Sequence, residues 1–387
     1  MKKAHQILIV VGIFYAIYIL LFLSKFDFNP SATIGLSENN IGEYNGILPS
    51  NLIVQINRDG YDGQFYYMIA TDIFLNRISG ASYWYQRILY PALASVFAFG
   101  NIFLIPWTLL LINFTAILLG TYVFLRILEG HKSNLNLAYL FALNPGFLAC
   151  VTRDLCEPLM ALFILLAILS WKKKRHWLSS ALLAFAILTK EMALLIACAL
   201  LLYFLIKRRF REMAVYSLPL IIFLVWQLIV FIKLGDAPLP PVARSISQGG
   251  LPFLGCIEYF SLLRYPQNIM DVHVYYLALP LLGFLVVQLY VILRGKQKTI
   301  SAYLIILLFQ ILLISCMDAH EHFINRFTAL VRYATPLFLF SILYSAERKE
   351  KYNILLGVFI ILMSVCYFIE SIMLFGSSLF KVDYFVT

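Results

Sequence analysis

The chain has 387 residues, of which 62% are hydrophobic and only 13% charged, and its formal net charge is +10. A soluble domain carries roughly 25% charged residues, so this composition excludes a soluble globular enzyme. The positive charge falls in clusters between apolar runs, at Lys2-Lys3, Lys172–Arg175, Lys207–Arg211, Arg294–Lys298 and Arg348–Lys351, which is the pattern of cytoplasmic loops and not of a nucleic-acid platform.

Many apolar runs approach the ~20 residues needed to cross a ~30 Å hydrocarbon core, so the expected fold is all-α, a polytopic transmembrane helix bundle. The run Ile7–Ser24 follows Lys2 and Lys3. It is longer than a signal-peptide core and no small-x-small cleavage site follows it, so it reads as an uncleaved first helix running outward. Residues 25–87 then form a long first outer loop, and Ile88–Phe99 a short apolar helix at the outer face. Ile102–Ile127 crosses inward, Leu135–Ala149 outward, and Pro158–Trp171 returns to the Lys172 cluster. Leu178–Leu188 and Met192–Ile206 make a short out-and-back pair, and Met213–Ile232 leads to a second outer loop over 233–271. Val272–Leu293, Ser301–Met317, Thr328–Tyr344 and Ile354–Phe375 complete the threading. It amounts to about 11 spans with the N-terminus inside and the C-terminus outside. Pro219, Pro280 and Pro336 inside spans read as kinks. The acids were not used to place the spans, yet of the 20 only Glu129, Glu212, Glu347 and Glu350 fall inside.

The six cysteines, Cys150, Cys156, Cys198, Cys256, Cys316 and Cys366, form no CxxC pair, so neither a metal knuckle nor a redox motif is indicated. Cys150 and Cys156 are expected as buried free thiols in preference to a bridge.

Four polar groups converge on the outer face. The first lies in Arg58–Ala70, where Asp59-Gly60 and Asp62-Gly63 precede an aromatic run and Gln64 and Tyr66 follow. Glycine lets the backbone turn tightly beside each carboxylate and leaves it unobstructed. The second is Arg153, Asp154 and Glu157, after Asn144-Pro145. The third is Thr189-Lys190-Glu191, at the tip of the short helical pair. The fourth is His320, Glu321, His322, Asn325 and Arg326, followed by Arg332-Tyr333. Each has a plain alternative. The aspartates can serve as turn formers, Arg153 can pair with Asp154 or Glu157, and Lys190 and Glu191 can cap locally. The histidines can be solvated, and Arg332 can snorkel to the interface. Ionisable groups at membrane depth are costly and mark function when several agree on one face.

These segments resemble the GT-C superfamily of multi-span glycosyltransferases, in particular bacterial relatives of the GPI mannosyltransferase II type. The resemblance rests on Tyr61–Ala70, Arg87-Ile88-Leu89-Tyr90-Pro91, Asn144-Pro145 with Glu157, Leu188-Thr189-Lys190-Glu191, and Arg332-Tyr333-Ala334-Thr335-Pro336. Those mannosyltransferases favour Trp-Asp where this chain has Asp-Gly-Gln-Phe, so the likeness does not extend to the sugar. It implies a catalytic module over 1–345, including the 25–87 loop, and a C-terminal span with a short outer tail over 346–387. It also implies an inverting transferase that moves a sugar from a polyprenyl-phosphate donor to an acceptor hydroxyl of a glycan, lipid or protein. The resemblance makes Asp62 the base, with Asp59 second, and Arg332, Lys190 and Arg153 the cations for the leaving phosphate. Asp154, Glu157, Glu191, Gln64, Tyr66 and Tyr333 fill out the substrate-binding set. Tyr66, Tyr67, Tyr83, Trp84 and Tyr85 are candidates to stack on sugars. A divalent cation between Asp62 and Asp154 or Glu157 stays open, as do a polysaccharide polymerase, a lipid-linked sugar transporter and a non-catalytic scaffold. The expected location is a bacterial inner membrane with the site facing the periplasm.

Overall fold

The structure, a computed structural model, describes residues 2–41, 49, 51–55, 60–74, 82–235, 251–255, 278–294, 300–317, 327–348, 353–373 and 384–386. It is helical with very little sheet. The helices in chain order are α1 (Lys2–Leu23), α2 (Gly63–Thr71), α3 (Leu89–Phe97), α4 (Ile105–Gly130), α5 (Leu137–Ala142) and α6 (Pro145–Val151). Next come α7 (Glu157–Lys172), α8 (His176–Thr189), α9 (Ala193–Ile206), α10 (Phe210–Leu234) and α11 (Leu279–Arg294). The last are α12 (Ala302–Ser315), α13 (Phe327–Tyr333), α14 (Thr335–Arg348) and α15 (Asn353–Met373). Single helical turns at Ser24–Phe26, Pro30–Thr33, Glu38–Ile41 and Ser82–Tyr85 are left unnumbered.

Among the described residues five helical stretches are long and apolar enough to cross a membrane: Lys2–Phe26, Ile105–Gly130, Phe210–Leu234, Ala329–Arg348 and Ile354–Ile372. Their outward faces are apolar. In α10 only 28% of the most apolar window is buried, and Ile222, Leu224, Val225, Leu228, Ile229 and Ile232 point outward. A contiguous apolar surface of that extent is not found on water-soluble monomers. By contrast α7, α8, α9, α11 and α12 have 14 to 16 residues each, short of the ~20 that a simple span needs.

The helix ends sort into two groups. Lys172 meets the His131 ring, Ser133 Oγ donates to Ala346 O at 2.9 Å, and Ser301 Oγ donates to Glu347. These contacts bring the ends of α4, α7 and α14 and the start of α12 together at one end of the molecule. The Lys172–Arg175 cluster belongs to that end. Helix α7 climbs about 24 Å from its first residue to its last at 1.5 Å per residue, so Glu157 stands at the opposite end, together with the α8–α9 turn.

Two expectations need correction, and a third needs its end moved. Leu135–Ala149 is not one helix. Asn144 is extended (ψ 151°), its Nδ2 donates to Phe141 O at 2.6 Å, and its Oδ1 accepts from Phe147 N at 3.1 Å. One side chain thus closes α5 and caps α6, while Pro145, which has no N–H, fits the first position of α6. Tyr15 Oη, from α1, donates to the freed Ala142 carbonyl at 2.7 Å. Thr328–Tyr344 holds as one crossing stretch with its end moved to Arg348; it bends at Ala334, where α13 meets α14 and Ala334 N still bonds Leu330 O at 2.9 Å, with Pro336 in the first turn of α14. The 25–87 segment is not only a loop. Leu36–Ser37 (β1) pairs in parallel with Ile53–Gln55 (β2), and β2 pairs antiparallel with Tyr384–Val386 (β3) near the C-terminus.

Close approach of backbones fixes where these pieces meet. A Cβ on Gly146 would lie 2.1 Å from Thr335 Oγ1 and 2.7 Å from Val331 O, so α6 is pressed against α13 and the start of α14. A Cβ on Gly63 would lie 2.4 Å from Arg153 O and 2.8 Å from Ile34 O, so the start of α2 is pressed against the α6–α7 turn. Backbone atoms cannot swing aside. Gly63→Ala is expected to lower stability by about 1–3 kcal/mol, despite alanine's better helix propensity, as read from thermal unfolding of purified protein in detergent. An unchanged or raised midpoint would show that the contact is not tight.

Candidate active site

The site is built where these close contacts converge. Asp62 precedes the first residue of α2 but makes no side-chain cap to it, although a capping bond is the usual fate of an aspartate there. Its carboxylate instead turns to Arg332, in the last turn of α13, whose Nη2 donates to Asp62 Oδ2 at 2.9 Å. Arg332 Nε donates to Glu157 Oε1 at 2.8 Å. Lys190, in extended conformation between α8 and α9 (φ −156°, ψ 129°), sends its ammonium to the same Glu157 oxygen and lies 5.0 Å from the centre of the Tyr333 ring. Glu157 Oε2 accepts from the Cys150 thiol at 3.3 Å. Glu157 and Lys190 have no exposed surface.

A second ion pair adjoins the first. Arg87, 1% exposed and just before α3, holds Glu191 in a two-pronged bond, Nε to Oε2 at 2.7 Å and Nη2 to Oε1 at 2.5 Å. Arg87 also donates to Tyr66 Oη at 3.3 Å and to Tyr83 Oη at 3.0 Å. Tyr66 Oη in turn lies 3.1 Å from Cys156 Sγ. Three carboxylates thus face three cations in two adjoining clusters, Asp62–Arg332–Glu157–Lys190 and Arg87–Glu191, which meet in the chain at Lys190-Glu191.

Of the three carboxylates, Asp62 is the most open. Its side chain keeps 30% of its surface, and among the described residues nothing donates to its Oδ1. Burial alone would raise its pKa, but Arg332 and then Arg87 outweigh burial and hold the carboxyl below its ordinary value. Asp62 is therefore ionised throughout the physiological range. Arg332, for its part, donates through Nε and Nη2 and has no described acceptor at Nη1.

The polar groups expected from sequence are largely brought together, with corrections. Asp62, Glu157, Lys190, Glu191, Arg332 and Tyr333 share one locale. Glu157 is enclosed by its two cations and a thiol, so it positions Arg332 and Lys190 and does not touch a ligand. Gln64 is 1% exposed, and its Oε1 accepts from Ser37 N at 3.0 Å and Asn40 Nδ2 at 3.1 Å. It ties α2 to β1 instead of lining the site. The rings of Tyr66, Tyr67 and Tyr85 are fully buried and have no face for a sugar. Tyr83 and Trp84 are half-buried, and Trp84 stacks on Phe65 with centroids 4.1 Å apart.

Arg153 makes no ion pair with Asp154 or Glu157. Its guanidinium lies over the Tyr61 ring at 4.6 Å, and its Nε has no acceptor. The cause is the backbone: Asp154 is left-handed (φ 46°), and its carboxyl meets Thr33 at 2.6 Å, apart from the cations. Thr33 Oγ1 also lies 2.7 Å from Pro30 O, and one hydroxyl proton cannot serve both acceptors. A protonated Asp154 resolves this by donating to Thr33, which donates to Pro30 O. Burial pushes the Asp154 carboxyl well above the usual carboxylate range.

Cys150 and Cys156 are free buried thiols, as expected. Among the described residues no three His, Cys, Asp or Glu side chains gather as a metal would require. The pairing of Asp62 with Asp154 or Glu157 around a cation has no such geometry. Asp59 and the His320–Arg326 group lie outside the described residues. The residue missed from sequence is Arg87. Its signal was a charge at the entrance of an apolar helix, two residues after Tyr85 of the run Tyr83-Trp84-Tyr85. Comparison with protein-family models, with curated proteins and with solved structures gives no match.

Removing one charge of a buried pair leaves its partner stranded, at a cost of about 3–5 kcal/mol. Glu157→Gln is therefore expected to be strongly destabilising, and adding Lys190→Met to recover part of the loss, in chemical or thermal unfolding. A Glu157→Gln protein as stable as wild type would refute the network as drawn. The two aspartates should respond oppositely to pH. Asp62 has a lowered pKa, so its contribution is present above the unfolded-state value and is lost as pH falls through the folded-state value. The stability gap between wild type and Asp62→Asn should close on acidification. Asp154 has a raised pKa, so its contribution is present below the unfolded-state value and declines as pH rises toward the folded-state value. Asp154→Asn should gain on wild type between about pH 4 and 8. Parallel pH–stability curves for the two variants would contradict both assignments.

Proposed function

We propose that the chain is a polytopic membrane glycosyltransferase of GT-C type, with about 11 traverses of the bilayer. It transfers a sugar from a polyprenyl-phosphate donor to an acceptor hydroxyl at the outer, periplasmic face of a bacterial inner membrane. The observation that carries this reading is the half-open Asp62 carboxylate. It is ionised, gripped on one oxygen by Arg332 and free on the other, at the end of the bundle opposite the Lys172–Arg175 cluster. Its place at one end also argues against a transporter, whose charged residues sit near the midplane on paired repeats.

A polyprenyl-phosphate donor already carries a good leaving group. The demand on the protein is to accept a proton from the acceptor hydroxyl and to stabilise the departing phosphate. Asp62 Oδ1 is the base. The hydroxyl oxygen attacks the anomeric carbon, the bond to the phosphate oxygen breaks, and the hydroxyl proton passes to Asp62. A single displacement inverts the anomeric centre. The lowered pKa of Asp62 limits its strength as a base, which suits a late proton transfer to an already departing donor. Arg332 Nη1 faces the charge that gathers on the phosphate, and fixed cations in a low-dielectric site stabilise that charge more in the transition state than in the ground state. Trp84 and Tyr83 offer the open aromatic surface for a sugar ring. One observation favours a second reading, a non-catalytic scaffold: Asp62, Glu157 and Glu191 already balance Arg87, Lys190 and Arg332.

The test is sugar transfer by purified protein in lipid from a panel of radiolabelled polyprenyl-phosphate sugars. Asp62→Asn should lower turnover by about 10²–10⁴-fold while the protein remains folded. Undiminished turnover in a folded Asp62→Asn would move the base elsewhere, with Asp59→Asn the next variant. Absence of both donor binding and turnover in wild type would favour the scaffold.

A further inference from the structure

At the other end of the molecule a cavity of about 520 Å³ opens between the α4–α5 connection, the last turn of α14 and the first half of α15. Its two halves differ chemically. One is polar, formed by Lys132, Asn134 and Asn136; the other is apolar, formed by Leu137, Leu140, Val358 and Ile361. Among the described residues no acidic side chain lines it, and Lys132 has no ion-pair partner. The amide nitrogens of Asn134 and Asn136 have no described acceptor either, since the one contact within this pair is Asn136 N donating to Asn134 Oδ1 at 3.0 Å.

We propose that this cavity binds an anionic membrane phospholipid. The phosphate group would lie against Lys132 and the two asparagine amides, with one acyl chain lying between α5 and α15. Three observations select that occupant. The polar half offers a cation and donors but, among the described residues, no carboxylate, which suits an anion. The apolar half continues along the outward face of α15, where Val358 and Ile361 are about half exposed, which suits a hydrocarbon chain. The cavity lies at the end that carries the basic clusters, where cytoplasmic-leaflet anionic lipids concentrate. The proposal goes beyond the transferase reading and rests on placement of the chain in a membrane with its basic clusters on the cytoplasmic side. The site is separate from the Asp62 network.

The test is native mass spectrometry of the full chain in detergent, titrated with phosphatidylglycerol, phosphatidylcholine or inorganic phosphate. Wild type should retain phosphatidylglycerol in preference to phosphatidylcholine. Lys132→Asn removes the charge at a left-handed position (φ 53°) that asparagine tolerates. It should weaken phosphatidylglycerol retention by about fivefold, the worth of one basic residue near a membrane surface. Equal retention of the two lipids, or phosphatidylglycerol retention unchanged by Lys132→Asn, would overturn the proposal. So would phosphate binding as tightly as phosphatidylglycerol, which would point to a free anion. None of these readouts involves sugar transfer, so this proposal and the transferase reading fail independently.

Discussion

The arrangement of the polar end depends on one constraint: the Glu157 carboxylate is buried without exposed surface. An isolated charge in such a place is prohibitively costly. Its compensation comes from Lys190 and Arg332, which are 33 and 175 residues later in the chain. Glu157 is also the first residue of α7, where the helix dipole favours a negative charge. The α7–α8 hairpin has to return Lys190 to the level where α7 began, and α13 has to be drawn in until Arg332 reaches the same oxygen. The break at Asn144-Pro145 and the bare backbone at Gly146 permit that approach. Gly63 then lets α2 bring Asp62 to the far side of Arg332.

Such a network is a poor way to gain stability. Desolvating the charges offsets most of their attraction, and a well-packed apolar core would serve as well or better. What it supplies is orientation. Arg332 is held from two directions and Asp62 from one, which fixes the positions of the second oxygen of Asp62 and of Arg332 Nη1. Arg87 performs the same office for Glu191 and Tyr83, and the two-pronged geometry of its bond requires arginine specifically, since lysine cannot reproduce the fork.

Much of the helical order and the approximate ends of the helices were legible in hydropathy and in the basic clusters, because both report on where chain leaves an apolar layer. The convergence of Asp62, Lys190, Glu191 and Arg332 was legible for the same reason: each stands at a turn on the acidic side of the pattern. The division of Leu135–Ala149 was written in Asn144-Pro145, but an apolar run of that length reads as continuous when composition is averaged over it. Gln64 and Tyr66 follow a reactive-looking aspartate, and nothing in their identity says that helix α2 turns them inward. Arg87 was hidden because its partner, Glu191, lies 104 residues away.

Asp62 and Asp154 show how far environment, not residue type, decides the chemistry. Both are aspartates at turns on the same end of the molecule, near residues that carry positive charge. Asp62 meets a guanidinium head-on and stays ionised. Asp154 is turned by its left-handed backbone toward a hydroxyl that also lies against a carbonyl, and burial pushes its carboxyl well above the usual carboxylate range. Two like groups pushed to opposite protonation states are the arrangement that lets one fold assign different tasks to identical side chains. Here the division is between chemistry and structure. Asp62 has an open oxygen and a charge, which is why the proposed reading gives it the proton of an incoming hydroxyl. Asp154 has neither, and its work is to pin the segment after α1 against the turn from which Glu157 begins.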